Sequence, residues 1–332
     1  MATLSQSYTT DAKPASAYER LRRFIAQISF DPRKLALIIA ALAGLPSDAP
    51  WILSIDRTNW KFGKRHINLL VLSACSSTGS AAVPLFWMQL EDKKQGNSDH
   101  IDRLDLLEMF CQVFGKDKIT AITGDREFIG EHWLGWIEKE GIGFVMRIKE
   151  NGTYIANARG KMMLASDVLC NLKVHETVLL GKRRVTRSSR QELCLSATRN
   201  AKGEILLVAH SENLSQPIAL YAKRWQIEVL FKCCKSNGFD LETTHITDPD
   251  RIETLMGVLA IAFAVAYTFG LWHHQTHPPK IKKHGYFAKS VFKQGIHILQ
   301  NILTNQKQRR FTLRAIMSKL FDGSQQAAYF VG

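Results

Sequence analysis

The chain has 332 residues, enough to bury a sizeable core as one large domain with an insertion or as two domains. A formal charge of +14, from 44 Lys and Arg against 30 Asp and Glu, argues for a polyanionic partner, nucleic acid first and an anionic membrane surface second. Six scattered cysteines without a C-x-x-C argue against a disulfide framework or zinc finger, and the polar start of the chain carries no secretory signal, so a reducing, intracellular setting is expected.

Residues 1–49 read as a small, partly disordered helical segment. It holds one helix over SAYERLRRFIAQI and a second over DPRKLALIIAALAGL, started by Asp31 with Pro32 in its first turn. From Pro50 the pattern changes to strands. WILSI ends at Asp56, HINLLVLSAC follows a turn containing Gly63, and AAVPLFWMQL completes an antiparallel meander. The polar loop EDKKQGNSDH leads into a helix over about 101–114, KITAIT forms a fourth strand ending at Gly124-Asp125, residues 130–140 are helical, and GIGFVMRIK is a fifth strand. Three strands, helix, strand, helix, strand predict a mixed α/β sheet with helices to cover it.

Residues 151–210 read as a mostly β insertion with strands in KVHETVLL, QELCLSA and EILLVAH. Its basic stretch, with Lys182, Arg183, Arg184, Arg187 and Arg190, is either a clamp on DNA backbone or a solvated hairpin edge. Helix returns at about 213. Residues 255–272, LMGVLAIAFAVAYTFGLW, carry no charge and reach the minimum length of a membrane span, but their Ala and Gly content reads as a buried core helix. His273 and His277 are expected to cap that helix rather than bind metal, and residues 276–332 form a basic, less regular end.

The chemistry concentrates in YAKRWQIEVLFKCCKSNGF, residues 221–239. At ~100° per residue, Arg224, Glu228, Lys232 and Lys235 share one face of a helix, and Trp225, Ile227, Leu230, Phe231 and Cys234 the opposite, packed one. Glu228 is then either one half of ordinary intrahelical ion pairs or a functional acid. Asp56 and Asp125 both fall at the ends of apolar strands, where the crevices of α/β sheets collect ligands. Three converging carboxylates repel one another unless a divalent cation intervenes. Oxygen donors suit Mg²⁺, and a pair of such ions serves in-line displacement at phosphorus.

DRTNWKFGK, then GDREFIG followed by Trp133, and then Tyr221-x2-Arg224-x3-Glu228-x6-Lys235 together resemble the DDE transposases of bacterial insertion sequences, in the branch with the Tyr-Arg-Glu-Lys signature. The resemblance covers roughly residues 50–275. It implies a ribonuclease-H-like core over 50–150 and 211–275, with 151–210 inserted before the last catalytic helix. It further implies two Mg²⁺ or Mn²⁺ ions on Asp56, Asp125 and Glu228, DNA contacts from Arg224, Lys235 and Tyr221, and a homodimer on paired DNA ends in the bacterial cytoplasm, associated with the nucleoid. Lys232, Arg183 and Arg184 join the expected DNA-binding set. The implied reaction is attack of water at each element end to free a 3′-hydroxyl, then attack of that hydroxyl on target DNA. Relatives pass through a hairpinned end with help from an aromatic in the insertion, where this chain has only Tyr154 between residues 151 and 220. The N-terminal part is also shorter than the family's usual end-binding domain. An inactive DNA-binding remnant that inhibits transposition is therefore the alternative reading.

Overall fold

Two-residue alternation organises the molecule. In a computed structural model describing residues 13–77, 80–90, 98–186, 192–236, 238–282 and 289–304, strand β2 (Arg65–Cys75) sends Leu70 and Leu72 into one apolar cluster and Ile67, Leu69 and Val71 into another. A strand buried on both faces belongs at the centre of a covered sheet. β2 pairs antiparallel with β1 (Trp51–Phe62) and β3 (Ala82–Gln89), which completes the expected meander. β4 (Ile119–Gly124) lies parallel to β1, and β5 (Phe144–Ile148) parallel to β4. The order β3-β2-β1-β4-β5 is compatible with a ribonuclease-H-like core.

Residues 151–210 do not form a layer of their own. Two short strands, β6 (Tyr154–Ala156) and β7 (Met162–Leu164), and one helical turn, α5 (Ala165–Val168), went unseen in the sequence. The remaining strands, β8 (Thr177–Arg184), β9 (Glu192–Arg199) and β10 (Ile205–His210), form an antiparallel meander that prolongs the main sheet through β10 against β5, giving eight strands in the order β3-β2-β1-β4-β5-β10-β9-β8. Arg187 and Arg190, the polar start over 1–12, most of the loop after Leu90 and residues 305–332 lie outside the described residues.

Helices cover both faces. After α1 (Pro14–Gln27), the first layer is α2 (Pro32–Leu42), α3 (His100–Phe114) and α4 (Glu131–Lys139). α2 starts as expected, with the Asp31 carboxylate accepting from the amides of Arg33 and Lys34 and Pro32 at the first helical position. The second layer is α6 (Pro217–Ala222), α7 (Trp225–Lys235), α8 (Pro249–Thr276) and α9 (Val291–Thr304). α8 is long and apolar enough to cross a membrane, yet most of its apolar stretch is buried. It closes the β3 edge: Glu253 accepts from the Trp87 indole at 3.1 Å and from the Gln89 amide at 3.1 Å, and the helix serves both apolar clusters. Covering an edge strand removes a row of open backbone groups.

Glycines let α8 and α9 meet backbone to backbone. A Cβ at Gly295 would overlap the Ala266 carbonyl oxygen, and one at Gly270 the Val291 carbonyl oxygen. Backbone cannot swing aside as a side chain does, so Gly295→Ala is expected to destabilise the fold by about 1–3 kcal/mol through overpacking. Chemical denaturation of the variant beside the parent measures it.

Candidate active site

Backbone pairing carries the two aspartates to the same level. The parallel ladder between β1 and β4 ends at Ile55 opposite Gly124, and Asp56 and Asp125 are the next residue of each segment. Asp56 is not at a strand end, contrary to the sequence reading. β1 continues to Phe62 because its outer half pairs with β2, from Asp56 opposite Val71 to Phe62 opposite Arg65. The polar residues DRTNWK hid that hairpin from a search for apolar runs. Alternation then decides direction: Leu53 and Ile55 join the first cluster, so Asp56 projects from the opposite face, toward α7.

Asp125 opens a tight 3₁₀ turn over Arg126–Phe128, pinned by the Phe128 amide donating to the Asp125 carbonyl at 3.0 Å and by the fully buried Phe128 ring. A Cβ at Gly124 would stand 2.8 Å from Met146 Sδ and 3.0 Å from Phe128, so glycine lets the turn close against the sheet.

Glu228 arrives from α7. A turn at Lys223 and Arg224 separates α6 from α7, yet the faces stay in step across it: at ~100° per residue Trp225 falls about 40° from Tyr221 on the polar side and Gln226 about 140° away on the packed one. Trp225, expected on the packed face, is 63% exposed, whereas Gln226 is buried and locked to Ser76, accepting from its amide at 2.7 Å and donating to its carbonyl at 3.0 Å. Arg224, expected on the polar surface, is buried. Its guanidinium gathers the site: Nη1 donates to Asp56 Oδ2 at 3.0 Å, Nη2 to Glu228 Oε1 at 2.5 Å, and Nε to the Tyr221 hydroxyl at 3.1 Å. Two segments distant in sequence, β1 and the α6–α7 stretch, thus converge on one cation.

Burial dominates the Asp56 carboxyl and pushes it up to about 6, against the lowering pull of Arg224 and of the Arg57 amide, while the charges of Glu127 and Asp125 add to the rise. At Arg224 burial works against the charge, but Tyr221, Asp56, Glu228 and Asp125 together hold the guanidinium protonated beyond its ordinary range. Because the native carboxyl of Asp56 titrates above the unfolded value, this group favours folding below about pH 4 and withholds stability as pH rises through about 6. At ~1.4 kcal/mol per pH unit the amount is roughly 3 kcal/mol. The metal-free Asp56→Asn variant is therefore expected to unfold at higher denaturant concentration than the parent at pH 8, with the difference closing by pH 4.

The donor set fits a divalent cation in chemistry. Asp125 Oδ1 is buried with no hydrogen-bond partner, and its nearest charged neighbour is Arg126 Nε at 4.0 Å. With Asp56 and Glu228 it offers carboxylate oxygens alone, which suit Mg²⁺ or Mn²⁺. Among the described residues no three His, Cys, Asp or Glu side chains are grouped tightly enough to hold an ion as they stand. Arg224 lies between two of the carboxylates, so ion entry requires its guanidinium to turn away.

The remaining expected residues divide. Lys232 is exposed on α7. Lys235 is occupied by the protein itself: Nζ donates to the Asn59 carbonyl at 2.5 Å, pairs with Glu242 at 3.1 Å and lies 5.6 Å from the Trp60 ring centre. Arg183 and Arg184 are on β8, four strands from β4 and so about 19 Å away at ordinary strand spacing. The cluster does not include them. His273 and His277 stack ring on ring with centroids 4.9 Å apart at the end of α8, where the His277 amide caps the His273 carbonyl.

Three features escaped the sequence reading: the exposed Trp225 next to Arg224, a bidentate pair between Arg57 and Glu127, and Arg147 on β5. Arg147 acts on the Tyr221 hydroxyl electrostatically, and its Nε is buried without a hydrogen-bond partner. The Asp-Arg and Asp-Arg-Glu runs were a usable signal for the second of these. The ~100° wheel itself puts Trp225 on the polar side, about 40° from Tyr221, and nothing in the sequence marked Arg147.

No curated protein matches this chain. Among solved structures, the C-terminal lobe of a budding yeast Argonaute is similar at 13% identity and a TM-score of 0.25, over 80% of this chain and 56% of that one, a likeness too slight to carry an argument. The chain thus spans little more than half the length of that protein. Residues 47–265, well over half the chain, match the family described as the transposase DDE domain, and the chain belongs to that family.

Proposed function

We propose that this chain is a transposase of a bacterial insertion sequence, in the branch named for the Tyr-Arg-Glu-Lys signature. It cleaves DNA at the element's ends and joins the freed 3′-hydroxyls to target DNA, with Asp56, Asp125 and Glu228 as the catalytic acids. The observation that carries the reading is the single Arg224 guanidinium shared by Asp56, Glu228 and Tyr221, with the partnerless Asp125 oxygen close enough for its charge to act on both Asp56 and Arg224. A purely structural ion pair needs one acid. Here two acids share one base and a third carboxylate, Asp125, lies near enough for its charge to act on both, a gathering of negative charge that suits metal binding.

The three carboxylates would hold two Mg²⁺ or Mn²⁺ ions, which when bound activate the attacking oxygen and stabilise the leaving one. Arg224, released from Asp56 and Glu228, turns to the DNA phosphate with Tyr221 beside it. The carboxylates would otherwise repel that phosphate, and a guanidinium recognises it well. Arg147, whose charge already acts on the Tyr221 hydroxyl, adds a further cation beside it. Lys232 and, once it leaves Glu242, Lys235 extend the track along α7, and Arg183 and Arg184 meet DNA farther out. Trp225 presents an open indole face on which an unstacked base can lie, a role the insertion, with Tyr154 alone, does not supply. A homodimer on paired ends, working in the cytoplasm at the nucleoid, completes the reading.

The test is a strand-cleavage assay with the full chain, Mg²⁺ and duplexes taken from the inverted repeats flanking its coding region. Metal-dependent nicking at the repeat boundary supports the proposal. Binding with a steep salt dependence and no nicking in Mg²⁺ or Mn²⁺ overturns it in favour of the inhibitory DNA-binding remnant.

A further inference from the structure

The aspartates leave the last shared rung of the β1–β4 ladder side by side, and no backbone pairing beyond Ile55 and Gly124 fixes their separation. One side-chain link continues where the ladder stops. Arg57, the residue after Asp56, donates from Nε to Glu127 Oε1 at 2.6 Å and from Nη2 to Glu127 Oε2 at 2.5 Å, and Glu127 is two residues after Asp125. Both side chains are largely buried, at 12% and 16% exposure. A two-bond fork of this kind fixes orientation as well as distance.

The link is braced from both sides. Arg57 Nη1 reaches Asn68 Oδ1 on β2 at 3.4 Å. Arg103 on α3 lies close enough to Glu127 for their charges to interact. It is itself buried, tied to Ser98 and set with its guanidinium 5.0 Å from the centre of the Phe128 ring. Glu127 thus feels guanidiniums from two elements, and the turn that begins at Asp125 cannot shift far relative to β1 without breaking the Arg57 fork.

We infer that Arg57 and Glu127 are positioning residues that set the Asp56–Asp125 separation needed for the two acids to share a divalent ion. The inference rests on the metal-binding reading of those acids. Partners behind metal ligands are worth roughly 10–100-fold in affinity. Glu127→Gln keeps shape and one acceptor but loses the charge and half of the fork. Arg57→Lys keeps the charge and loses the fork, and serves should the first variant fold poorly.

Mn²⁺ titration of the full chain without DNA, by calorimetry or electron paramagnetic resonance, is expected to show about a tenfold or greater loss of affinity in either variant. Affinity for end DNA should stay unchanged, and excess Mn²⁺ should restore cleavage. Mn²⁺ affinity within twofold of the parent, in a variant with the parent's circular dichroism, overturns the inference and leaves the pair a structural brace. Asp56→Asn and Asp125→Asn, titrated in parallel, separate the two failures. If they also bind Mn²⁺ as the parent does, the metal-binding reading falls, and this inference falls with it.

Discussion

Asp56→Asn, Asp125→Asn and Glu228→Gln each lower strand cleavage by at least about 1,000-fold, and the triple variant is scarcely slower than any single one, as expected of groups that act as a unit. Each replacement keeps the size of the side chain and removes one negative oxygen. Fold should therefore survive, and end-DNA binding should hold steady or tighten, because less negative charge faces the phosphates. The comparison is of single-turnover nicking rates in Mg²⁺ and in Mn²⁺, with binding followed by mobility shift on the same duplexes. More than a tenth of parental cleavage in any of the three would remove that residue from the catalytic set.

Arg224→Ala strikes stability as well as activity. Removing the guanidinium leaves Asp56 largely buried and unpaired, a situation that commonly costs 3–5 kcal/mol. Glu228 keeps 34% of its side chain in contact with solvent and adds little. An overall loss of about 3–5 kcal/mol at pH 8 is expected. The loss shrinks with acid: without Arg224 the Asp56 carboxyl titrates higher still, and protonation relieves the unpaired charge as pH falls. Urea unfolding at pH 8 and at pH 5 measures both values, and equal destabilisation at the two would reject the pairing. Arg224→Lys should recover part of the stability and little of the cleavage, since an ammonium cannot span two carboxylates and a hydroxyl in one plane.

The parts of this fold that could be read in advance are those with a single strong period. The apolar runs of β2 and β3, the Asp31-Pro32 start of α2, and the alternation that placed β4 and β5 around two helices all reflect local chemistry that tertiary contacts did not override. Asp56 was located correctly in sequence and wrongly in structure. The outer half of β1 is held by pairing with β2 rather than by its own composition, and cross-strand hydrogen bonds leave no trace in hydropathy. Trp225 was set on the packed face although ~100° per residue puts it about 40° from Tyr221, among the polar residues, and its exposure follows the wheel; what the wheel could not show is that Arg224, on the same side, is buried against Asp56 and Glu228. Asp56, Asp125 and Glu228 were singled out together in the sequence, but the sharing of Arg224 by Asp56 and Glu228 was not, since it depends on a sheet and a distant helix meeting in three dimensions.

Helix α8 has a consequence for the order of events at the ribosome. Translation delivers β1 to β5 first, then the strands that widen the sheet, and only afterwards this long greasy rod, so its resting place along β3 is already made when it emerges. Its other cover, α9, follows it in the chain. Between those two moments the nascent chain carries a stretch long and apolar enough for a bilayer, and docking on the sheet is what buries most of it.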